Sequence, residues 1–311
     1  MVEANFTVPV VMIIFNRPET TARVFEVIRR IRPKQLLIVA DGPRPDRPDD
    51  TTKCAAARKI VTRIDWDTEL QTDFAAENLG CGPRLATGIT WAFEQVEEAI
   101  ILEDDCLPDP SFFPFCAELL ARYRNDERIM HIAGSNFQFG RGSAQFSYYY
   151  SRFAHVWGWA SWQRAWQHFD YDMKLWPDVR AGDLLPNWLN SRGVVRKWRK
   201  SFDWFYGPGK CATWDYQWQL ACWLQHGLGI VPSRNLVANI GFGVEATHTD
   251  KESPFSAMPV QPMSFPLHHP PYMIRLRHAD DITEKTLYGA GLVKRIDIKL
   301  RQALDMLRLR H

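Results

Sequence analysis

The sequence has little that would direct the chain out of the cytoplasm or into a membrane. It shows no basic segment followed by an apolar core of the signal-peptide kind, because the apolar run 8–15 is short and continues directly into Asn16, Arg17 and Pro18. No apolar run approaches the roughly 20 residues that span a bilayer. We therefore expect a cytoplasmic protein, or one that lies peripherally on the inner face of a membrane.

Cysteine is scarce and a charge excess is absent. The six cysteines show no CxxC pair and no zinc-ligand spacing, so in a cytoplasmic protein they are expected to be free thiols. The formal net charge of +2 gives no reason to expect a nucleic-acid partner. At 311 residues and 46% hydrophobic content, the chain has the composition of a globular protein with a large core.

The first half of the chain alternates β-branched runs with amphipathic segments. Runs 8–15 and 36–39 predict buried strands, and Pro18 begins a helical pattern between them that Pro33 ends. The alternation continues to residue 136, where it predicts helices over 54–64, 83–98 and 111–123 and strands over 70–74, 100–102 and 129–133. Such alternation predicts an α/β fold, with a mostly parallel sheet covered by helices on both faces.

The strand over 100–102 ends abruptly in three carboxylates, Glu103, Asp104 and Asp105. Adjacent carboxylates repel one another unless a cation or hydrogen-bond donors offset them, and hard divalent ions prefer such oxygens. Because ligands of open α/β sheets bind outside the carboxyl ends of the strands, Arg17 and Asp41, which follow the first two strands, should share a crevice with the acids. The alternatives are a solvated turn for the acids and an Asp–Gly turn for Asp41.

Three further positions are candidates for a site. Arg84 lies in the first turn of a predicted helix, where the dipole does not favour a cation, so it should have a partner, either a ligand phosphate or a surface salt bridge. Asp215 begins a helix that Thr213 can cap, and an acid there is either a structural device or a catalytic group. His248 follows a glycine-rich segment whose backbone can approach a phosphate, so it is either part of a site or a structural residue.

Aromatic residues concentrate in the second half, where 11 of the 13 tryptophans lie between Trp157 and Trp223. Trp157, Trp159 and His155 are candidate contacts to a donor or acceptor, with core packing as the alternative, and a metal ligand is a further alternative for His155. A predicted helix in the same region has a basic face formed by Arg196, Lys197, Arg199 and Lys200. This face is either a solvated surface or one that attracts a phosphate-bearing acceptor.

Residues 103–113, Glu-Asp-Asp-Cys-Leu-Pro-Asp-Pro-Ser-Phe-Phe, resemble the acidic metal motif of nucleotide-sugar-dependent glycosyltransferases with the GT-A fold, especially the N-acetylglucosaminyltransferase I family. That family has Glu-Asp-Asp followed shortly by Pro-Asp-Phe-Phe. The resemblance implies that Asp105, with His248 as a further ligand, binds Mn²⁺ or Mg²⁺ against the donor's phosphates. It also implies a set of donor and nucleotide contacts, namely Arg17, Asp41, Arg84, Glu103, Asp104, Trp157 and Trp159.

The same resemblance implies a role for Asp215. The family has Phe-Trp-Asp-Asp-Trp at this distance from the metal motif, with the second acid as catalytic base, whereas residues 214–218 here are Trp-Asp-Tyr-Gln-Trp. One acid is missing, and alignment on the first tryptophan places the remaining acid one position early. Asp215 is therefore the expected base in a transfer, with inversion, from a nucleotide sugar, most simply a UDP-sugar, to a hydroxyl of a carbohydrate or lipid-linked acceptor.

The resemblance covers about residues 8–250 and implies one GT-A-like catalytic domain over 1–272. Within it we expect a nucleotide-binding half over about 1–136, an acceptor and sugar half over about 137–250, and a proline-rich segment over 251–272. A C-terminal helical extension follows over 273–311. Its basic amphipathic helix, residues 292–309, is suited to docking on its own domain, to dimerisation or to contact with an anionic membrane.

Two other functions are compatible with parts of the pattern. A sugar-phosphate nucleotidyltransferase would share the sheet and the metal, but it needs a glycine-rich basic loop directly after the first strand. A non-enzymatic carbohydrate- or membrane-binding protein would explain the aromatic residues and the last helix, but not the acidic strand end.

Overall fold

The computed structural model describes residues 6–141, 145–241, 255 and 258–288. The strands are β1 Val10–Ile14, β2 Gln35–Ala40, β3 Glu69–Phe74, β4 Glu98–Glu103, β5 Cys106–Pro108, β6 Ile129–Ala133, β7 Tyr148–Ser151, β8 Trp159–Trp162, β9 Leu228–Pro232 and β10 Val237–Asn239. The helices are α1 Pro18–Ile31, α2 Pro48–Val61, α3 Cys81–Gln95, α4 Phe112–Tyr123, α5 Gln163–Trp166, α6 Trp176–Ala181, α7 Arg192–Tyr206, α8 Asp215–Leu224 and α9 Arg277–Tyr288, with single 3₁₀ turns at Leu185–Asn187 and Lys210–Ala212.

One large sheet organises the described part of the chain. Its eight strands lie in the order β3-β2-β1-β4-β8-β6-β9-β7. The strands β3, β2, β1 and β4 are parallel neighbours, β6 and β9 pair in parallel with each other, and β7 and β8 run antiparallel to their neighbours. The central strands β1, β2 and β4 consist mainly of β-branched and other apolar residues, as expected for strands buried on both faces. The predicted mostly parallel sheet is confirmed.

Helices cover both faces of this sheet because each strand sends alternate side chains to opposite sides. Val10, Met12 and Ile14 of β1 pack in the same cluster as apolar residues of α1, α2 and α4. Val11 and Ile13 pack in the other cluster, with apolar residues of α3, α5 and α8. The predicted coverage of both faces is therefore confirmed.

Two local features differ from the sequence prediction. The helix α2 begins at Pro48, six residues before the predicted start at 54. Its first turn contains Pro48, Asp49 and Asp50, and proline and acidic residues are both favourable in the first turn of a helix. The short strand β5 was not predicted, and it pairs antiparallel with β10 outside the main sheet. This small second sheet crosses the carboxyl end of β4.

The second half adds an aromatic core beside the sheet. Tryptophan and phenylalanine side chains of α6, α7 and α8 pack together there, and the ring centroids of Trp198 and Trp223 are 4.8 Å apart. This cluster accounts for much of the tryptophan enrichment in the sequence. It fixes α7 and the start of α8 beside the large sheet.

The last described helix, α9, docks through polar groups. Ser151 Oγ donates to Asp280 Oδ1 at 2.6 Å, and Gln138 Nε2 donates to the Ala279 carbonyl and Thr283 Oγ1, both at 3.0 Å. Arg152, which is 3% exposed, forms an ion pair with Glu284. The predicted amphipathic helix 292–309 lies outside the described residues, so its three predicted modes of contact stay predictions. Within 6–141, 145–241 and 258–288, no helix has the length and apolar character that crossing a membrane requires.

Candidate active site

A cavity of about 540 Å³ opens at the carboxyl ends of β1, β2 and β4, with the start of α8 as its opposite wall. It brings together residues that are far apart in the sequence and that the pattern analysis singled out separately. Those residues are Arg17, Asp41, Arg84, Glu103, Asp104, Asp105, Trp157 and Asp215. Trp159 does not line the cavity, and His248 lies outside the described residues.

The three acids occupy a strand end and the turn after it. Glu103 is the last residue of β4, and Asp104 and Asp105 form the turn to β5. In an extended strand, Asp104 and Asp105 would point to opposite faces of the sheet. The turn instead brings both carboxylates toward Arg17. The backbone N–H of Phe15, just beyond β1, donates to Asp104 Oδ2 at 3.0 Å. Parallel pairing of β1 and β4 thus fixes the position of the acidic turn.

Arg17 offsets part of this negative charge. Its Nη1 lies 2.8 Å from Asp105 Oδ2 and 3.9 Å from Asp104 Oδ1. Burial lowers the pKa of Arg17, but the Asp104 and Asp105 carboxylates outweigh burial, so the net pKa is raised. The carboxylate of Glu103 has no hydrogen-bond or ion-pair partner among the described residues.

The crowding of the acids changes their protonation. Burial, followed by repulsion from Asp105, raises the pKa of Asp104 to about 7, although Arg17 and the Phe15 N–H oppose this. Burial, followed by repulsion from Asp105, Asp104 and Asp215, raises the pKa of Glu103 well above its ordinary value. The protein groups around the acidic turn therefore do not compensate the charge that three ionised carboxylates would carry.

Asp41 binds the loop that follows β3. Its carboxylate accepts hydrogen bonds from the backbone N–H groups of Gly42 at 2.8 Å, Leu79 at 2.9 Å and Gly80 at 3.2 Å, and from Asn78 Nδ2 at 2.9 Å. A carboxylate offers about four acceptor positions, and here protein donors use four. The Asp–Gly turn of the sequence analysis is present, and it also anchors residues 78–80 at the cavity edge.

Arg84 has a protein partner within the fold. It is 3% exposed, its Nη1 lies 2.8 Å from Asp73 Oδ2, and its Nε donates to the Ala40 carbonyl at 3.2 Å. It therefore ties the ends of β2 and β3 to the first turn of α3. Arg84 also lines the cavity. Of the two partners considered from the sequence, a ligand phosphate and a surface salt bridge, the structure contains a salt bridge. Its arginine is buried and not at the surface.

Asp215 is the first residue of α8, and Trp214 occupies the N-cap position. The predicted Thr213 cap is therefore wrong, because Thr213 Oγ1 donates to the Asp215 carboxylate and makes no cap bond to the helix backbone. This hydroxyl holds the Asp215 side chain at the cavity wall. An acid at a helix N-terminus is stabilised in its ionised form.

The aromatic candidates divide between the cavity and the core. Trp157 lines the cavity and contacts the Phe137 ring edge-on at a centroid distance of 5.2 Å. Trp159 is 1% exposed and stacks on His131 at 5.1 Å, which places it in the core between the sheet and α8. His155 is also buried, and its Nε2 has no partner among the described residues.

The segment after β10 forms the wall next to the acids. The Ile240 N–H donates to the Asp105 carbonyl at 2.8 Å, and the Gly241 N–H donates to Asn239 Oδ1 at 2.9 Å. A side chain at Gly241 would collide with Asp105 and Arg17, so the backbone approaches this ion pair closely because residue 241 is glycine.

No family model matches the chain, and no curated protein matches it by sequence. Solved structures with some likeness include the galactosyltransferase LgtC in complex with donor and acceptor sugar analogs, at 10% identity and a TM-score of 0.35, covering 75% of this chain and 74% of that one. UDP-glucose pyrophosphorylase complexed with UDP-glucose matches at 8% identity and a TM-score of 0.35, and the match covers 73% of this chain and 90% of that one. Mouse xyloside xylosyltransferase 1 matches at 11% identity and a TM-score of 0.36, and the match covers 70% of this chain and 83% of that one. Likenesses of this size do not establish a shared family.

Among the polar residues that line the cavity, the sequence analysis did not single out Arg44 or Asn239. Arg44 lies between the predicted strand 36–39 and the predicted helix 54–64, where it binds Asp50 through two nitrogens and lies 5.3 Å from the Phe15 ring centroid. The available signal was its position two residues after the Asp–Gly turn, at the carboxyl end of a strand. Asn239 gave no signal, because its place depends on the unpredicted pairing of β10 with β5.

Proposed function

We propose that this protein is a metal-dependent glycosyltransferase that moves a sugar from a nucleotide diphosphate sugar, most simply a UDP-sugar, to a hydroxyl of a carbohydrate or lipid-linked acceptor, with inversion. The observation that carries the proposal is the meeting of the acidic turn, Arg17 and Asp215 in one cavity at the carboxyl edge of an α/β sheet. The location is the usual ligand position for this architecture. A cavity of about 540 Å³ is within the range of small-molecule sites.

The residues of the acidic turn fit a divalent ion, Mn²⁺ or Mg²⁺, whose coordination is completed by the substrate. In the described part of the chain, no group of three histidine, cysteine, aspartate or glutamate residues is arranged to hold a metal by itself. Ions such as Mg²⁺ are commonly bound by one or two carboxylates plus substrate phosphates. Asp105 would hold the ion, and the ion would supply positive charge to the departing nucleoside diphosphate.

Arg17 and the acids then have distinct tasks. Arg17, already beside Asp105, is placed to contribute a guanidinium to the donor's phosphates when the ion shares Asp105. Glu103, which has no protein partner among the described residues, is placed to accept hydrogen bonds from hydroxyl groups of the donor. Asp41 contributes by holding residues 78–80, so we assign it to shaping the nucleoside end of the cavity.

Asp215 is the proposed general base. It faces the acidic turn across the cavity, and Thr213 orients its carboxylate. An acceptor hydroxyl between the donor and Asp215 would lose its proton to this carboxylate as the oxygen attacks the anomeric carbon. Attack from the face opposite the leaving phosphate inverts the configuration. Because an ordinary aspartate is a weak base, its contribution depends on position more than on pKa.

The nucleotidyltransferase alternative lacks its main requirement. Only Phe15, Asn16 and Arg17 separate β1 from α1, and none of them is glycine. A triphosphate cradle built from glycine backbone is therefore missing at this strand end. Arg17 is in addition bound to Asp105.

The test is calorimetry with UDP, in the presence and absence of Mn²⁺, followed by product analysis. We expect UDP to bind, Mn²⁺ to strengthen its binding, and a panel of UDP-sugars to be hydrolysed slowly without an acceptor. Formation of pyrophosphate from UTP and a sugar 1-phosphate would identify a nucleotidyltransferase. Absence of any nucleotide binding would contradict both enzymes and favour a carbohydrate- or membrane-binding protein.

A further inference from the structure

A second concavity, of about 410 Å³, lies along α7. We call it the α7 groove and define it by Arg196, Lys197, Lys200, Ser201, Trp204 and Tyr216. The sequence pattern predicted a basic face on this helix, and the fold divides that face. Arg199 turns away from the groove to form an ion pair with Asp183, whereas the other three cations surround the concavity.

The positive charge of the groove is not neutralised by the protein. Arg196 and Lys200 are exposed, and neither has an ion-pair partner among the described residues. Lys197 Nζ donates to the Leu287 carbonyl at 3.3 Å and lies 5.5 Å from the centroid of the Tyr288 ring, and it too has no ion-pair partner among the described residues. Three cations within about one turn of helix, facing one concavity, attract an anion.

The other side of the groove is aromatic and fixed in place. The Trp204 side chain is 54% exposed, which is unusual for an indole. Its ring lies against Gly209, where any side chain would collide with the indole. Phe205 packs on Tyr216 at a centroid distance of 4.5 Å. The groove thus offers an apolar wall beside its cations.

The groove adjoins the active-site cavity through the first turn of α8. Asp215 lines the cavity, and the next residue, Tyr216, lines the groove. The groove and the cavity therefore lie on either side of the first turn of α8, which carries the proposed base.

We propose that the α7 groove binds a phosphate or diphosphate group of the acceptor, with the acceptor's apolar part against Trp204. The proposal rests on the glycosyl transfer proposed above and names its acceptor class, a phosphorylated one. Arginine and lysine provide the charge-assisted donors that phosphate oxygens accept, and the indole covers apolar atoms next to the phosphate. A phosphorylated sugar and a lipid-linked diphosphate share this chemistry.

The experiment uses inorganic pyrophosphate as the probe, in EDTA so that no divalent ion directs it to the acidic turn. Binding is measured by calorimetry on the wild type, on the R196A/K200A variant, and on R23A/K59A. The last variant removes the same charges from exposed positions on α1 and α2 that have no ion-pair partner in the described structure. We expect saturable binding in the wild type, weakening by about tenfold or more in R196A/K200A, and unchanged binding in R23A/K59A.

Measurement of UDP binding with Mn²⁺ on the same variants separates this proposal from the proposed function. R196A/K200A should bind UDP as the wild type does, and failure of the wild type to bind UDP would contradict the function and not the groove. The groove proposal is overturned if the wild type does not bind pyrophosphate, if R196A/K200A binds it normally, or if R23A/K59A loses as much. If R196A/K200A binds pyrophosphate normally but loses binding to phosphatidylglycerol vesicles, the groove is a membrane contact and the acceptor proposal is overturned.

Discussion

At the scale of single residues, a carboxylate's role follows from the donors around it. Asp41 is surrounded by four protein donors, so it acts within the fold. Glu103 has no such partner among the described residues, and Asp105 shares a single guanidinium with Asp104. Charges that the fold leaves without full compensation are the ones available to a substrate or an ion.

Asp105→Ala should remove the strengthening of UDP binding by Mn²⁺ while leaving the protein folded. The substitution deletes the proposed ligand and also relieves repulsion among the acids. We expect the Mn²⁺-dependent affinity for UDP to fall by about tenfold or more, measured by calorimetry. Asp67→Ala, at an exposed position with no ion-pair partner among the described residues, is the matched control. Wild-type Mn²⁺ dependence in a folded Asp105→Ala protein would contradict the assignment.

Asp215→Asn should keep donor binding and lose turnover. The side chain keeps its size, so the free energy of unfolding should fall by only about 0.3–1 kcal/mol from the lost charge–dipole interaction. Turnover should fall by about 10²–10⁴-fold, the usual contribution of a general base. Steady-state kinetics with a UDP-sugar and acceptor provide the measurement. Asp178→Asn, in the first turn of α6, removes a similar charge outside the cavity and should leave turnover unchanged.

Two outcomes would reject Asp215 as the base. Wild-type turnover in Asp215→Asn would require another proton acceptor. Loss of UDP affinity as large as in Asp105→Ala would instead make Asp215 part of the donor site.

At the scale of elements, the cavity depends on how strand ends are connected to the loops after them. Asp41 after β2 holds residues 78–80, and Arg84 on α3 binds Asp73 of β3 and the carbonyl of Ala40. The two contacts fix one wall of the cavity. The other wall depends on β5 and β10, whose pairing brings Gly241 against Asp105.

Asp41→Asn should lower stability more than it lowers nucleotide affinity. The amide can accept hydrogen bonds through one oxygen only, so at least one of the Gly42, Leu79 and Gly80 N–H groups loses its partner. The expected loss is about 1–3 kcal/mol of unfolding free energy, measured by urea denaturation. Asp46→Asn, an exposed acid in the following loop, is the control. Unchanged stability with a large loss of UDP affinity would instead make Asp41 a direct nucleoside contact.

At the scale of the whole molecule, buried histidines link stability to pH. His131 accepts a hydrogen bond from Trp218 Nε1 at its Nδ1, so its Nε2 donates to the His155 carbonyl at 2.9 Å and the ring is neutral. Burial lowers the pKa of His131 to about 4 and that of His155 to about 3. The unfolded chain takes up protons at both below about pH 6.5. Their contribution to stability is present above that pH and is lost as the pH falls toward 4 and 3.

Buried acids act in the opposite direction. Burial raises the pKa of Asp280 to about 6, so its contribution is present below the unfolded value and is lost as the pH rises through 6. A stability curve of the wild type alone therefore mixes the two effects. A comparison with a histidine variant separates them.

His155→Phe should stabilise the protein more at pH 5 than at pH 7.5. At pH 5 the unfolded wild type has a proton on His155 and the folded protein does not. This lowers the unfolding free energy of the wild type by about 2 kcal/mol, whereas the variant has no such loss. The substitution also removes the buried Nε2, which has no partner in the described structure. Urea denaturation at the two pH values measures the difference. Equal effects at both would show that His155 is not held neutral by the fold.

The sequence by itself determined the order of the helices and main-sheet strands in the first half, and it predicted that the acids at the end of β4 share a crevice with Arg17 and Asp41. These follow from local periodicity and from the rule that parallel strands present their ends together. The resemblance of residues 103–113 added the expected chemistry. Each of these signals lies within a short stretch of chain.

The tertiary structure decided what depends on partners far away in the sequence. Trp157 and Trp159 are two residues apart, yet one lines the cavity and the other packs in the core, because β8 begins at Trp159 and is inserted between β4 and β6. Arg84 is bound to Asp73, and Arg44 reaches the cavity, through contacts that no local pattern encodes. Burial and hydrogen-bond saturation are properties of the assembled fold, so only the fold decided which candidate side chains line the cavity and which are bound to protein partners.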